Sequence, residues 1–253
     1  MRENAPPSPA VVVGIDGSRR AVNAALWAVD EAVDRDVPLR LVYAVEPHRP
    51  HDTTQDFATA ESAVRAAAMA IESTGHQVKL EVEIVQGPAV ATLLRASRSA
   101  AMLCVGALGT NHATGRRPGS AATGLLARSH CPVAIVGDAV AHRTAGWVVT
   151  ECDDTPDGHA VLEHALAEAR RRNAPLKIVA KGGRDATARA ERALARCRGH
   201  RPGLDVEVVA ANCYTMDYVD QHSGDVQLVV VGAYPSPARL DCPVLVAAPH
   251  DAL

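Results

Sequence analysis

The stretch Gly106-Ala107-Leu108-Gly109-Thr110-Asn111-His112-Ala113-Thr114-Gly115-Arg116-Arg117-Pro118-Gly119-Ser120 follows the apolar run Met102 to Val105 and precedes a helix-like segment, Ala121 to Ser129. Two residues separate Gly106 from Gly109, nine separate Gly109 from Gly119, and Ser120 follows at once. Glycines at these places let the backbone turn and leave amide N–H groups uncovered, and Ser120 stands where a helix N-cap would be. Amides that converge on a helix start, with the positive end of the helix dipole behind them, form a site for phosphate oxygens. With glycine at roughly 7% of residues, this spacing arises by chance on the order of once in a hundred chains of this length. The bland alternative is a strand-to-helix turn that binds nothing.

Working outward, Val11 to Ile15 is a β-branched run of the kind buried in a parallel sheet, and Asp16-Gly17-Ser18 turns it toward a helix. Apolar residues recur at helical spacing from Ala21 to Arg35, and Pro38 ends that helix before a second strand, Leu39 to Val45. Strand, helix and strand make a right-handed crossover. Phe57 to Thr74 reads as an alanine-rich helix closed by Gly75, Gln77 to Val85 as a third strand, and Val90 to Ser99 as a helix. Met102 to Val105 is the fourth strand and Cys131 to Val136 the fifth. Five strands alternating with helices predict a doubly wound, Rossmann-like α/β domain over residues 11–138, after a proline-rich tail at residues 1–10.

Residues 139–145 read as a linker, and then the pattern restarts over residues 146–253. An offset of 137 positions lays Asp16 on Asp153 and Pro38-Leu39 on Pro175-Leu176 without a gap. Further on, Val230-Val231-Gly232-Ala233 matches Cys104-Val105-Gly106-Ala107, and Cys242-Pro243-Val244 matches Cys131-Pro132-Val133. Between those landmarks the first half carries fifteen more residues, including the later loop glycines and the serine. Tyr234-Pro235-Ser236-Pro237 cannot rebuild the cradle, because proline donates no amide. The second half is therefore expected to be a degenerate copy with a five-stranded sheet of its own and no nucleotide site.

The glycine pattern resembles the nucleotide-binding signature of the ATP-binding universal stress proteins. The opening Val11-Val12-Val13-Gly14-Ile15-Asp16-Gly17-Ser18 and the closing Cys131-Pro132-Val133-Ala134-Ile135-Val136 are similar to that family's first and last strands. The resemblance implies the adenine nucleotide alpha hydrolase-like fold. It assigns phosphate and ribose contacts to Gly106, Gly109, Gly119, Ser120 and the amide of Ala121. Asp16 becomes the acidic residue near the nucleoside, and Gly14 and Ala44 become backbone neighbours of the base. It implies ATP as the ligand, with Mg or Mn accompanying the phosphates, and a tandem regulator of stress or dormancy acting through an unnamed protein partner. It also implies pairing through the last strands, Val133 to Val136 and Val244 to Ala247, within the chain or in a homodimer. Before the fourth strand, where the family carries an aspartate, this chain has Ser99-Ala100-Ala101, whereas its second half keeps Gly224-Asp225.

Composition sets the outer bounds. The 253 residues are 47% hydrophobic and 22% charged, ample for two cores, and a net charge of −3 gives no general electrostatic reason to bind nucleic acid or an anionic membrane. No apolar run reaches bilayer-spanning length, and six cysteines without a Cys-x-x-Cys spacing fit a reducing cytoplasm. Asp16 has a second reading as the cap of the following helix. Arg116 and Arg117 can face a terminal phosphate or water. His48 and His51, near Asp52 and Asp56, lack a further well-spaced ligand for a metal. Trp27 and Trp147 fall on apolar faces and read as core; Glu151, Asp153 and Asp154 form an acidic cluster in the second half. There is no Gly-x-Ser-x-Gly elbow, no lysine-bearing phosphate loop and no His-Glu-x-x-His, so no catalytic residues are assigned and slow hydrolysis is the most that is expected. The rivals to a nucleotide-binding regulator are a nucleotide-free interaction module with a vestigial loop, and a weak ATPase.

Overall fold

The computed structural model describes residues 9–46, 53–107, 120–138, 145–152, 155–182, 185–197, 203–233 and 242–247. The chain divides into two compact units, Met1–Asp138 and Ala139–Leu253. In the first, Val11–Ile15 (β1), Leu39–Val45 (β2), Leu80–Gln86 (β3), Met102–Gly106 (β4) and Val133–Val136 (β5) alternate with Arg19–Asp34 (α1), Thr53–Glu72 (α2), Ala89–Ser97 (α3) and Ser120–Leu126 (α4). The strands run in the order β3-β2-β1-β4-β5, all parallel. The order reverses at β1, so the crevice of a doubly wound sheet opens beyond the carboxyl ends of β1 and β4. Val11, Val12 and Val13 are wholly buried, as are Leu103 and Cys104 of β4, because helices cover both faces. α1 packs with α2, and α3 with α4.

Local chemistry sets the helix limits. α1 begins at Arg19, two residues before the apolar pattern starts, because the Ser18 hydroxyl caps it by accepting from the Ala21 amide at 3.1 Å. Asp16 is not the cap: its Oδ1 accepts from the Ser18 amide at 2.9 Å and holds the turn that delivers Ser18. Between them Gly17 takes φ +82°, a conformation open to glycine and strained for other residues. At the far end Asp36 adopts φ 52°, letting the chain reverse into β2. α2 starts earlier than its alanine-rich stretch suggested, at Thr53, and β3 starts later, at Leu80, where pairing with Leu39 begins. Ahead of β1, Ala10 is buried and its carbonyl accepts from the Ala101 amide at 2.9 Å, so the packed chain reaches one residue beyond the expected strand.

The second unit contains Trp147–Glu151 (β6), Pro156–Arg171 (α5), Leu176–Lys181 (β7), Ala186–Arg196 (α6), Val206–Ala211 (β8), Thr215–Gln221 (α7), Val226–Val231 (β9) and Val244–Val246 (β10). Its strands run in the order β8-β7-β6-β9-β10, again parallel. The internal repeat is visible atom by atom. α5 lies 137 positions from α1 at both ends. Thr155 caps it by accepting from the Gly158 amide at 3.1 Å, the counterpart of Ser18 and Ala21. Asn173 takes φ 47° where Asp36 takes 52°. Glu31 and Glu168 are both buried, and each pairs with an arginine four residues on, Arg35 and Arg172. Trp27 is core as expected, whereas Trp147 is only half-buried, with the Lys177 ammonium 4.1 Å above its ring. Among the described residues no helix is long and apolar enough to cross a membrane.

Candidate functional site

Four of the sequence-marked positions lie along the carboxyl ends of β2, β1 and β4, which stand side by side, and a fifth opens α4. Gly14 and Asp16 come from the end of β1, Ala44 from β2, Gly106 from the last residue of β4, and Ser120 from the first residue of α4. Ser120 and Ala121 belong to the first turn of α4, whose amides have no intrahelical acceptor and face whatever lies beyond the helix start. Gly109, Gly119, Arg116 and Arg117 lie outside the described residues, as do His48, His51, Asp52, Asp153 and Asp154. Among the described residues no group of three His, Cys, Asp or Glu side chains is placed to hold a metal ion.

Two of the marked glycines have packing reasons of their own. A Cβ on Gly106 would stand 2.9 Å from both the carbonyl carbon and the Cβ of Arg20 in α1, and 3.1 Å from the Ala21 amide. A Cβ on Gly14 would stand 3.0 Å from Leu93 Cδ1 of α3 and 3.3 Å from Val105 Cγ1. These absences of side chain let α1 and α3 close on the sheet, which keeps the crevice edge made of main chain. Gly232, the repeat partner of Gly106, also meets a helix, with Val161 Cγ2 at 3.0 Å.

The charge of the edge is divided. On the β2 side a cleft of about 240 Å³ is lined by Tyr43, Ala44, Val45, Glu46, Asp56 and Thr59. The Glu46 carboxylate accepts from the Ala89 amide at 3.1 Å and so caps α3, whose own N-cap residue, Pro88, offers no side-chain bond. Burial, with the Asp16 and Asp56 carboxylates beside it, pushes the Tyr43 phenol above its ordinary pKa and keeps it a neutral hydrogen-bonding group at physiological pH. On the β5 side the cations gather: Arg20 Nε and Nη2 reach Asp138 Oδ2 at 2.9 and 2.5 Å, and Arg19 Nη2 lies 3.6 Å from Oδ1. Arg20 is the main cause holding the Asp138 carboxyl below the usual aspartate range. A depressed carboxyl stabilises the fold above its unfolded pKa and loses that contribution as pH falls through its folded one, so this pair is intact at neutral pH.

Sequence reading missed the roles of Tyr43, Glu46, Arg20 and Asp138. Arg20 and Asp138 are 118 positions apart, and no local pattern joins them. Cys131, in contrast, behaves as a buried hydrophobe: burial raises its thiol to about 11, so it holds its proton at neutral pH.

An edge of this kind, with main chain at the switch point, a helix start behind β4 and a carboxylate after β1, suits a ligand with a flat polar ring and an anionic tail. The universal stress protein family model matches residues 9–137. Universal stress protein Rv2028c of Mycobacterium tuberculosis is 43% identical over 239 residues, covering 89% of this chain and 86% of that one. Universal stress protein Rv2624c of the same organism is 40% identical over 237 residues, 90% and 86% of the two chains. Among solved structures, a universal stress protein from Archaeoglobus fulgidus DSM 4304 superimposes with a TM-score of 0.76 at 17% identity, over 94% of this chain and 97% of that one; it shares the fold. From the family match and the two relatives, this chain belongs to the universal stress protein family.

Proposed function

We propose that the first unit binds ATP at the carboxyl edge of β1 and β4, and that the protein acts as a nucleotide-dependent regulator of a stress or dormancy response through protein partners. The observation that carries this reading is that Asp16 and the main chain at Gly106 lie at the ends of the adjacent strands β1 and β4, the reversal point of the sheet, where open α/β sheets take their ligands. Gly109 and Gly119 complete the phosphate cradle by sequence, the Ala121 amide joins it, and the base lies by Gly14 and Ala44. When bound, ATP supplies an anionic tail and brings Mg or Mn to it. The chain's own residues orient the nucleotide and exclude water from its ring. The loop carries no lysine of the kind that stabilises a transferred phosphoryl group, so hydrolysis is expected to be at most slow.

In the second unit, Lys181 stands at the repeat position of Ala44, with its ammonium 3.3 Å above the Tyr214 ring. A cation and an aromatic ring occupying the base position support a unit without a nucleotide site. One bound adenine nucleotide per chain is the expected result when small molecules released from undialysed protein are identified by mass spectrometry and ATP is titrated by calorimetry. At a hundredfold excess over its dissociation constant, ATP should add about 2.7 kcal/mol of stability, a rise of roughly 5–10 °C in melting temperature. Gly119→Val should abolish that rise; a variant that melts with ATP as the parent does would sink the nucleotide reading.

A second reading has a specific observation behind it. Gly106 and Gly232 are both explained by helix contact, and only the first is followed by the long glycine loop. A chain that releases no nucleotide and gives no heat with ATP would work through its surfaces alone, the loop being a remnant.

A further inference from the structure

The first turn of α1 carries Arg19 and Arg20 and no acidic residue. Cations there face the positive end of the helix dipole, an unfavourable placement of the same order as the gain from an exposed ion pair. Stability therefore gives no net reason for the pair. The second unit answers the same structural problem in the ordinary way: at the repeat positions of Arg19 and Arg20, α5 has Pro156 and Asp157, a residue preorganised for a helix start and an acid that suits the dipole. By sequence it also has Pro249 where the first unit has Asp138. The arginines and their carboxylate thus occur in the unit that has the long glycine loop and are missing from the one that lacks it.

The geometry puts them at the root of that loop. The Arg20 backbone packs against Gly106, the last residue of β4. Ala107, where the described chain enters the loop, donates its amide to Val136 of β5 at 2.8 Å. Asn23 of α1 donates to the Gly137 carbonyl at 3.4 Å, next to Asp138. The exits of β4 and β5 and the first turns of α1 form one corner, on the opposite side of the edge from the acidic cleft at Tyr43, Glu46 and Asp56. The carboxylates of that cleft repel a nucleotide's phosphates and the arginines attract them, which leaves the cleft side to the uncharged ring and sugar. The Arg20 side chain is 29% exposed and Asp138 43% exposed, so an incoming anion can reach both.

We propose that Arg20, assisted by Arg19, makes the first unit sensitive to the number of phosphates on its ligand, and that Asp138 is the internal counterion Arg20 gives up when a terminal phosphate arrives. This rests on the adenine-nucleotide reading above. Occupancy by a triphosphate releases Asp138, the last residue of the first unit, whereas adenosine leaves the pair closed.

The test is calorimetric titration of the full chain with ATP, ADP, AMP and adenosine, for the parent, Arg20→Ala, Asp138→Asn and the double variant. Thermal melting of each confirms folding, since these are partly exposed positions. Arg20→Ala should weaken ATP about tenfold and leave adenosine within about twofold, the size expected for one charge-assisted phosphate contact. Asp138→Asn should tighten ATP several-fold, and that gain should vanish in the double variant, because nothing is then left to compete for. Equal losses for ATP and adenosine on Arg20→Ala would overturn the proposal. So would a gain from Asp138→Asn that persists without Arg20, the mark of simple charge repulsion. A parent chain that binds adenosine but not ATP refutes phosphate sensing alone; one that binds none of the four ligands removes the nucleotide reading beneath it.

Discussion

Gly106→Val should lower the stability of the first unit by about 3 kcal/mol, near the upper end for overpacking, because the obstacle is backbone. The new Cβ would sit 2.9 Å from the Arg20 carbonyl carbon, and α1 would have to lift off β4 to admit it. Urea or thermal unfolding measures the loss, a drop of roughly 6–12 °C in midpoint at 2–4 °C per kcal/mol. Its repeat partner supplies the control. At Gly232 the nearest atom is a side-chain methyl, Val161 Cγ2, 3.0 Å away, rather than backbone, so Gly232→Val should cost about 1 kcal/mol, at the low end of that range. Equal losses at the two positions would show that closure of α1 on β4 is not what Gly106 serves.

The second large effect is expected at the buried ion pair of α1. The Glu31 side chain is 3% exposed and its partner Arg35 13%, and the guanidinium bonds both the Glu31 carboxylate and its carbonyl oxygen. Arg35→Met withdraws the nearest cation from a carboxylate that water hardly reaches. Losing one member of a buried pair typically costs 3–5 kcal/mol; partial access at Arg35 places this case nearer about 2–3. Replacing both residues, Glu31→Met with Arg35→Met, should recover most of the loss, because two apolar side chains of similar volume leave no charge stranded. A double variant as unstable as Arg35→Met alone would mean that the helix needs these side chains for their shape. Urea midpoints of the parent and the two variants settle it.

Much of the architecture is legible in local sequence. Runs such as Val11 to Val13 and Leu103 to Val105 are apolar at every position, and only a sheet covered on both faces buries both sides of a strand. Proline and glycine at Pro38 and Gly75 punctuate the helices, and Gly75 takes φ +75° after α2. The start of α1 is not fixed by local sequence, because Asp16 and Ser18, on either side of Gly17, are both capping residue types. The left-handed Gly17 decides for Ser18, and a backbone angle is not written in the residue letters. Trp147 departs from the core position its apolar flanks imply for a related reason: Lys177, which covers it, comes from the neighbouring strand.

The candidate edge divides in the same way. Asp16 and Gly106 each lie in a stretch that marks the end of its own strand, so local sequence suffices to place them. Arg20 and Asp138 meet only because β1 and β5 flank β4 on either side, so their ion pair is a product of strand order and had to be seen in the fold.

The shared opening of the two units carries a hazard during synthesis. Strand, hydroxyl-capped helix, left-handed residue and second strand occur twice in one chain, and tandem copies of one module are prone to inter-domain misassembly when both are unfolded together. A β1–α1 segment that docked in the later sheet would find a familiar frame but strange neighbours: Arg20 would stand where Asp157 belongs. Mismatches of this kind disfavour the swapped docking, independently of any ligand.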